Sequence, residues 1–387
     1  MKRLYAQLLA ALALLLGLNT SCIEPPLHLA EEEDVVIDLP IVQTEMEIVW
    51  NVDVDWRTNW YYGWDTDDEQ LYGSIDYPDP TNFEIRRYFT GQTPKAPHTR
   101  EGLDGFTLFA KRFRRNYQFG YYDLLFWSNI DSKDGTQVLL VNESDLDEVT
   151  ATTTVTRGFA PSKTESRVTG LYNQPEIFYS AYEQGIHISH DISDYDYFDE
   201  EVGAWVKNIK TELTPLVYIY LVQVVLHNND GRVTGITGDG AISAMASGTS
   251  VNTAHTNNSP CMVYFPMRMK TGREANGERV DIVGGKFTTF GLCDMDGYRA
   301  DTRAEYQGSR TDIDNRLYVT LRFSNDTEQT YDFLITDQCR KQCHGGVITV
   351  DVDCSKIEPP KPDTPGSGNV FVPTIEDYDH VDYEIPM

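Results

Sequence analysis

The chain has 387 residues, of which 60 are acidic and 32 are basic, and its formal net charge is −28 at pH 7. This charge repels phosphate backbones and argues against nucleic acid as a partner. Short segments rich in Val, Ile, Thr and aromatic residues recur between clusters of Gly, Asn and Asp, which is the pattern of strands and turns. Length and pattern together predict an all-β protein with two domains.

The N-terminus has the pattern of a secretory leader. Lys2 and Arg3 form a short basic region, residues 8–18 form an apolar run, and two small residues precede Cys22. The apolar run is too short to cross a bilayer, which needs about 20 residues. We therefore predict that residues 1–21 are a lipoprotein signal peptide and that Cys22 is lipidated and anchors the mature chain to a membrane. The alternative is a plain signal peptide with an ordinary cysteine nearby.

Composition divides the mature chain into four predicted parts. An acidic stretch follows the cysteine and predicts a solvated tether over residues 22–40. Strand patterns then predict an N-terminal β-sandwich over residues 41–170 and a C-terminal β-sandwich over residues 171–356. Pro and Gly predict a linker at the start of the last part, residues 357–387.

Three segments have clear strand patterns. Apolar and polar residues alternate through residues 48–56, which predicts a strand with one buried face. Residues 121–130 predict another strand of the first domain. The most apolar stretch of the mature chain, residues 213–226, predicts a strand that is buried on both faces at the centre of the second domain.

Two features of the first domain are candidates for function. Arg157, in an exposed Thr-rich stretch, is a candidate protease site. A group of aromatic side chains beside several carboxylates could form a platform for sugar rings, although aromatic residues of a β-rich chain mostly lie in the core. This candidate glycan platform consists of Trp60, Tyr61, Tyr62 and Trp64.

Five further cysteines follow Cys22, and export through an oxidising compartment permits disulfides. Their odd number leaves one without a partner, and their spacing supplies too few ligands for a zinc site. No metal or other cofactor is expected. The candidate disulfide residues are Cys261, Cys293, Cys339 and Cys343.

The end of the chain alternates apolar and acidic residues behind the Pro/Gly linker. Such a segment can add to the exposed edge of a sheet, where main-chain hydrogen bonds supply affinity and alternate side chains fill pockets. The acceptor could be another chain, or the segment could fold back as an edge strand of its own body. The candidate donor strand is formed by Val381, Tyr383, Ile385 and Met387.

An ordered set of motifs resembles the fimbrillin-like lipoproteins of Bacteroidales. Within residues 211–353 these are Pro-Leu-Val at 215–217, the turn at 240–246, the Gly-x-Phe-x-x-Phe-Gly strand at 285–291 and the segment at 333–338. The resemblance implies two transthyretin-like sandwiches, lipoprotein export to the cell surface, and assembly of pili by strand exchange after proteolysis. The cysteines depart from the pattern of pilus-forming relatives.

The leading functional prediction is therefore a non-enzymatic, lipid-anchored fimbrial subunit or fimbria-like adhesin of the outer membrane. The expected partners are outer-membrane lipid through Cys22, other fimbrial subunits, and ligands on host or bacterial surfaces. No Gly-x-Ser-x-Gly elbow and no His-Glu-x-x-His motif is present in the sequence, so no hydrolase is indicated. The alternative is a glycan-binding surface lipoprotein of a nutrient-uptake system.

Overall fold

The computed structural model describes residues 41–50, 59–91, 104–128, 138–143, 145–154, 171–297, 306–309 and 312–361. Over these ranges the chain consists mainly of β-strands with two short α-helices, which confirms the all-β prediction. The described residues from Val42 onward belong to one compact unit.

The strands of the N-terminal half are β1 (Val42–Trp50), β2 (Phe83–Gly91), β3 (Asp104–Leu108), β4 (Arg112–Asn116), β5 (Gly120–Ser128), β6 (Val138–Val141), β7 (Thr150–Thr153), β8 (Leu171–Tyr172), β9 (Tyr179–Ile188), β10 (Tyr197–Asp199) and β11 (Ala204–Pro215). Those of the C-terminal half are β12 (Tyr218–His227), β13 (Val233–Ile236), β14 (Gly240–Ala246), β15 (Gly248–Ser250), β16 (Pro260–Phe265), β17 (Met267–Ala275), β18 (Glu278–Thr289), β19 (Arg316–Phe323), β20 (Glu328–Leu334) and β21 (Gly346–Asp353). The helices are α1 (Thr66–Tyr72) and α2 (Thr336–Lys341).

The first sandwich is an eight-stranded sheet that bends on itself. Its strands follow the order β3-β2-β5-β9-β11-β1-β4, and β10 adds to β11. The bend lies in β11, because only Thr214 and Pro215 pair with β9, whereas β11 from Trp205 to Leu213 runs parallel to β1. Inward-facing apolar residues of the two halves, such as Met46 of β1 and Phe126 of β5, form the core between them.

The second sandwich packs two sheets face to face. A four-stranded sheet of order β17-β18-β12-β21 covers a six-stranded sheet of order β13-β19-β14-β16-β8, to which β20 adds beside β19. Phe287 lies at the centre of this core, with ring centroids 5.1 Å from Tyr220 and 4.9 Å from Phe265. Strand β12 lies between β18 and β21 and is buried from Tyr218 to Leu226, which confirms the predicted central strand.

The sequence predicts one strand over residues 213–226, but this stretch contains the end of β11 and the whole apolar part of β12, and the chain passes from the first sandwich to the second between them. Pro215 ends β11, and the buried residues Leu216 and Val217 lead directly into β12. Strand pairing therefore assigns residues 179–215 to the first sandwich, although the sequence predicts a boundary at residue 170. That boundary stays a prediction, because the described part of the chain forms one unit.

A third apolar cluster joins the two sandwiches. Leu125 and Trp127 on the outer face of β5 pack in one cluster with Phe290 and Cys293 from the second half. The small sheet β15-β7-β6 contributes Ala151 to the same cluster. Because this cluster is buried, the halves share a continuous apolar interior, which favours a fixed arrangement over a hinged one.

The outer edge of β21 is sealed by two glutamine side chains of helix α2 and the turn that ends it. Gln338 accepts a hydrogen bond from the Thr349 N–H (2.9 Å) and donates one to the Thr349 carbonyl (2.7 Å). One helical turn later, Gln342 makes the same pair of bonds with Val347, at 2.8 and 2.9 Å. These amides replace the bonds that a neighbouring strand would make.

Replacing both glutamines by alanine is expected to open this edge. The N–H groups of Val347 and Thr349 lose their partners, so we expect a loss of about 1–3 kcal/mol in the free energy of unfolding, together with faster hydrogen exchange over residues 346–350. The measurements are urea denaturation and peptide-level exchange. Lys341→Ala, an exposed change at the end of the same helix, is the control. Equal exchange in both variants would show that the glutamines do not seal the edge.

Candidate functional site: aromatic segment and strand edges

The aromatic segment, residues 59–78, covers the outer face of the sheet β17-β18-β12-β21. Tyr62 is completely buried and packs in one cluster with Val225 of β12 and Ile282 of β18. Trp60 and Trp64 are half-buried and pack on a second cluster that contains Leu221 and Val347. The N-terminal half of the chain therefore supplies the cover of a C-terminal sheet.

A polar side chain on the central strand holds the backbone of this segment. Gln223 is wholly buried in the otherwise apolar strand β12. Its carbonyl oxygen accepts hydrogen bonds from the N–H groups of Tyr61 (2.9 Å) and Tyr62 (3.1 Å), and its amide donates to the Asn59 carbonyl (2.6 Å). A buried amide must find such partners, so Gln223 fixes where the segment crosses the sheet.

Gly284 of β18 makes room for the Tyr62 ring. A Cβ atom added at Gly284 would lie 2.2 Å from Cδ2 of Tyr62, closer than any two such atoms can approach. The ring therefore lies flat against a strand that has no side chain at this position. The absence of a side chain at Gly284 and the burial of Tyr62 are two parts of one packing arrangement.

An ion-pair network fixes helix α1 to β17. Asp65 and Asp68 form a capping box at the start of the helix. The Asp68 carboxylate is fully buried and contacts the Arg268 guanidinium at 2.7 Å and the Lys270 ammonium. Lys270 also lies 4.4 Å from the centre of the Tyr62 ring. Asp65 and Asp68 of the N-terminal half thus pair with Arg268 and Lys270 of the C-terminal half.

The titratable groups around this cluster are used for packing. Burial raises the pKa of Tyr62 to about 12, and its hydroxyl donates to Asp68 at 3.1 Å. Burial lowers the pKa of Lys286 to about 8, and its ammonium donates to the carbonyls of Tyr72 and Ser74 at the end of α1. Each polar group here binds another part of the protein, so the arrangement fastens the aromatic segment to the sheet.

The residues of the candidate glycan platform therefore lie close together, and they pack against the sheet β17-β18-β12-β21. The buried ring of Tyr62 has no face available to a sugar. Tyr61 donates a hydrogen bond to Asn276 (2.8 Å), and Trp64 donates one to Glu69 (2.8 Å). Trp60, Tyr61 and Trp64 are half-buried. A glycan-binding role stays a prediction for the exposed parts of these three rings only.

A second charged cluster joins two loops near the end of the second sandwich. His255 lies between two aspartates, with its Nδ1 atom 3.0 Å from Asp296 and its Nε2 atom 3.2 Å from Asp294. Asp294 also accepts a hydrogen bond from the Ser309 N–H (2.7 Å). The hydrogen bond to Asp296, with a further one to Asp294, raises the pKa of His255. The arrangement is a surface ion pair of two loops.

This cluster predicts a pH-dependent contribution to stability. Because the pKa of His255 is higher in the folded state than its ordinary value of 6.5, the protonated ring stabilises the fold below that value, and this contribution is lost as the pH rises through the folded pKa. We expect the stability difference between the unchanged protein and His255→Gln to shrink as the pH rises above 6.5. Urea denaturation across this range measures it. His190→Gln, at an exposed position, is the control, and a difference for His255→Gln that does not change with pH would contradict the prediction.

The predicted disulfides are not formed in the structure. Cys261, Cys293, Cys339 and Cys343 are all buried thiols. Burial raises the pKa of Cys339 to about 12 and that of Cys343 to about 11. Because the thiolate is the reactive form of cysteine, these side chains behave as small apolar core residues in this structure.

Several predicted site residues lie outside the described ranges. These are the lipidation residue Cys22, the candidate protease site Arg157 and the candidate donor strand Val381, Tyr383, Ile385 and Met387. Among the described residues, no group of three or more His, Cys, Asp or Glu side chains could hold a metal ion. In the same part of the chain, no helix is long and apolar enough to span a membrane.

Comparison with solved structures finds similar folds among adhesin-type and fimbrial proteins of Bacteroidales. A candidate adhesin from Bacteroides ovatus is 15% identical, with 86% of this chain and 97% of that chain covered and a TM-score of 0.47. A candidate polysaccharide-binding protein from Bacteroides thetaiotaomicron is 10% identical, with 81% and 91% covered and a TM-score of 0.39.

The fimbrial anchor protein Mfa2 from Porphyromonas gingivalis is 11% identical to this chain, with 80% of this chain and 90% of that chain covered and a TM-score of 0.37. No protein-family model matches the sequence, and no curated protein matches it.

Proposed function

We propose that the protein is a lipid-anchored cell-surface adhesin or fimbrial subunit that works by surface contact and strand complementation, not by catalysis. The observation that carries the proposal is the order of parts along the chain. A leader with a lipidation-type cysteine comes first, an all-β body follows, and a strand-patterned segment ends the chain. Such a chain has an attachment point at one end and a means of joining another sheet at the other.

The polar clusters of the body support a binding role over a catalytic one. The buried carboxylate of Asp68 is neutralised by two cations, and Gln223 has its amide oxygen and nitrogen hydrogen-bonded to the aromatic segment. Both groups hold the aromatic segment on the sheet, which is a packing role. The fused sandwiches supply a stiff body that can present a surface away from the membrane.

The surface location is tested with the full-length chain in a bacterium of the order Bacteroidales. We expect the protein in the outer-membrane fraction, degraded when proteinase K is added to intact cells, and released from the membrane by Cys22→Ser. Cells that carry the protein should adhere or aggregate more than cells that carry no copy. A protein that stays in the periplasm of intact, protease-treated cells would overturn the proposal.

Assembly by strand complementation is tested separately. The full chain and a version ending at Lys361 are purified, treated with trypsin, and examined by size-exclusion chromatography and by SDS gel without boiling. Ladders formed only by the full chain support donation of the terminal segment to another copy. If both versions remain monomeric, assembly is overturned, whereas surface attachment through Cys22 is not affected.

A further inference from the structure

Strand β20 is the outermost strand of its sheet and presents an open edge. Its residues from Glu328 to Leu334 pair with β19 on one side, and within the described residues no strand pairs with the other side. An edge of seven residues exposes a row of backbone N–H and C=O groups that can bind an extended segment. Strand β21 lies at an edge of the other sheet of this sandwich, and the side-chain amides of Gln338 and Gln342 already bind that edge.

The side chains of β20 also favour the addition of another strand beside it. Tyr331 and Phe333 lie on the face of β20 that meets the core, are half-buried, and have ring centroids 6.3 Å apart. A strand added beside β20 would continue this face outward, and apolar side chains at alternate positions would cover the exposed parts of both rings.

The chain leaves the second sandwich beside the first residues of β20. Arg232 donates hydrogen bonds to the carbonyls of Cys354 and Ile357, each at 3.2 Å. Asn325, in the turn between β19 and β20, then donates to the Pro360 carbonyl at 2.8 Å. These contacts fix the exit of the C-terminal segment beside the open edge.

The length of chain beyond this exit matches the length of the edge. A strand of seven residues is about 23 Å long. Nineteen residues lie between residue 361 and residue 381, and a random coil of this length has a root-mean-square end-to-end distance of about 24 Å. A tether of this length holds its end near the edge at an effective concentration of about millimolar. A second copy of the protein reaches that concentration only in concentrated solution.

We propose that residues 381–387 add to the free edge of β20 in their own molecule. The alternating side chains Val381, Tyr383 and Ile385 extend the row of Tyr331 and Phe333, while Asp382 and Glu384 face solvent. The occupied edge is then closed to other chains. This inference concerns the monomer before assembly: in the proposed function the same segment is donated to another copy, so donation requires that it first leave β20.

Hydrogen exchange of β20 in the monomer tests the proposal. The monomer fraction of the full chain is compared with a version ending at Lys361, which keeps the Asn325 to Pro360 contact. We expect amides of residues 328–334 to exchange at least tenfold faster in the shortened version, and a synthetic peptide of residues 378–387, added in excess, to restore the protection. Amides of β12 should be unchanged in both.

A pair of matched variants separates strand addition from a general effect of the tail. Val381→Asp with Ile385→Asp places charge on the apolar face of the segment and should remove the protection of β20. Asp382→Asn with Glu384→Gln changes the other face and should preserve it. If the shortened version protects β20 as well as the full chain does, the tail does not bind this edge. If protection appears only in oligomeric fractions, the segment is donated between copies and the proposal is overturned.

Discussion

An Asp68→Ala variant is expected to lose about 3–5 kcal/mol in the free energy of unfolding, because it leaves two cations without their buried partner. Asp68 is fully buried, and the side chains of Lys270 and Arg268 that contact it are only 12% and 28% exposed. The variant also removes the acceptor for the Tyr62 hydroxyl. Urea denaturation followed by tryptophan fluorescence measures the loss.

The neighbouring residue of the same helix supplies the control for Asp68. The Asp67 side chain is 78% exposed and lies 3.7 Å from Arg268, so Asp67→Ala should leave stability unchanged within error. A double variant, Asp68→Leu with Lys270→Met, should recover part of the loss, since an apolar pair can replace a buried ion pair. Equal effects of Asp67→Ala and Asp68→Ala would show that the cluster does not hold the aromatic segment.

A Gly284→Ala variant is expected to displace the aromatic segment from the sheet. The new methyl group would occupy the position of the Tyr62 ring, so we expect a loss of about 3 kcal/mol and rapid proteolysis within residues 59–78. Limited proteolysis with mass spectrometry and urea denaturation measure the two effects.

The control for this substitution is Gly235→Ala in β13. A Cβ atom at Gly235 would lie 3.5 Å from the Arg322 side chain, which is an ordinary contact, so little change is expected. In a Tyr62→Ala background, Gly284→Ala should cost much less, because the two residues no longer compete for one space. A full additive loss in that background would contradict the packing explanation.

Local patterns located the long apolar strands that are buried on both faces. The strand predicted at residues 48–56 overlaps β1 (Val42–Trp50) only at residues 48–50, and residues 51–56 lie outside the described ranges. The strand predicted at residues 121–130 is found as β5 (Gly120–Ser128), and the central position of β12 follows from its continuous apolar run.

Partners that lie far along the chain could not be inferred from such patterns. Nothing near Trp60 or Tyr62 indicates that their neighbours are Gln223 and Gly284 in the other half. Two signals were present and were not used. A single glutamine within an apolar strand needs buried hydrogen-bond partners, and the Asp65-x-x-Asp68 pattern is that of a helix start. The disulfide prediction rests on the cellular compartment and on the spacing of the cysteines in the sequence, and neither of these fixes the distances between their sulfur atoms in the fold.

The contacts between the two halves have a consequence for how the chain folds. Within the first sandwich, residue 42 pairs with residue 205. Between the halves, the aromatic segment packs on β12 and β18 and is synthesised before either strand. Each sandwich has its own core, but the outer faces of β5 and of the sheet β17-β18-β12-β21 are covered by residues of the other half, so we expect slow, all-or-none folding with many contacts between distant positions. Separate fragments of the two halves should aggregate.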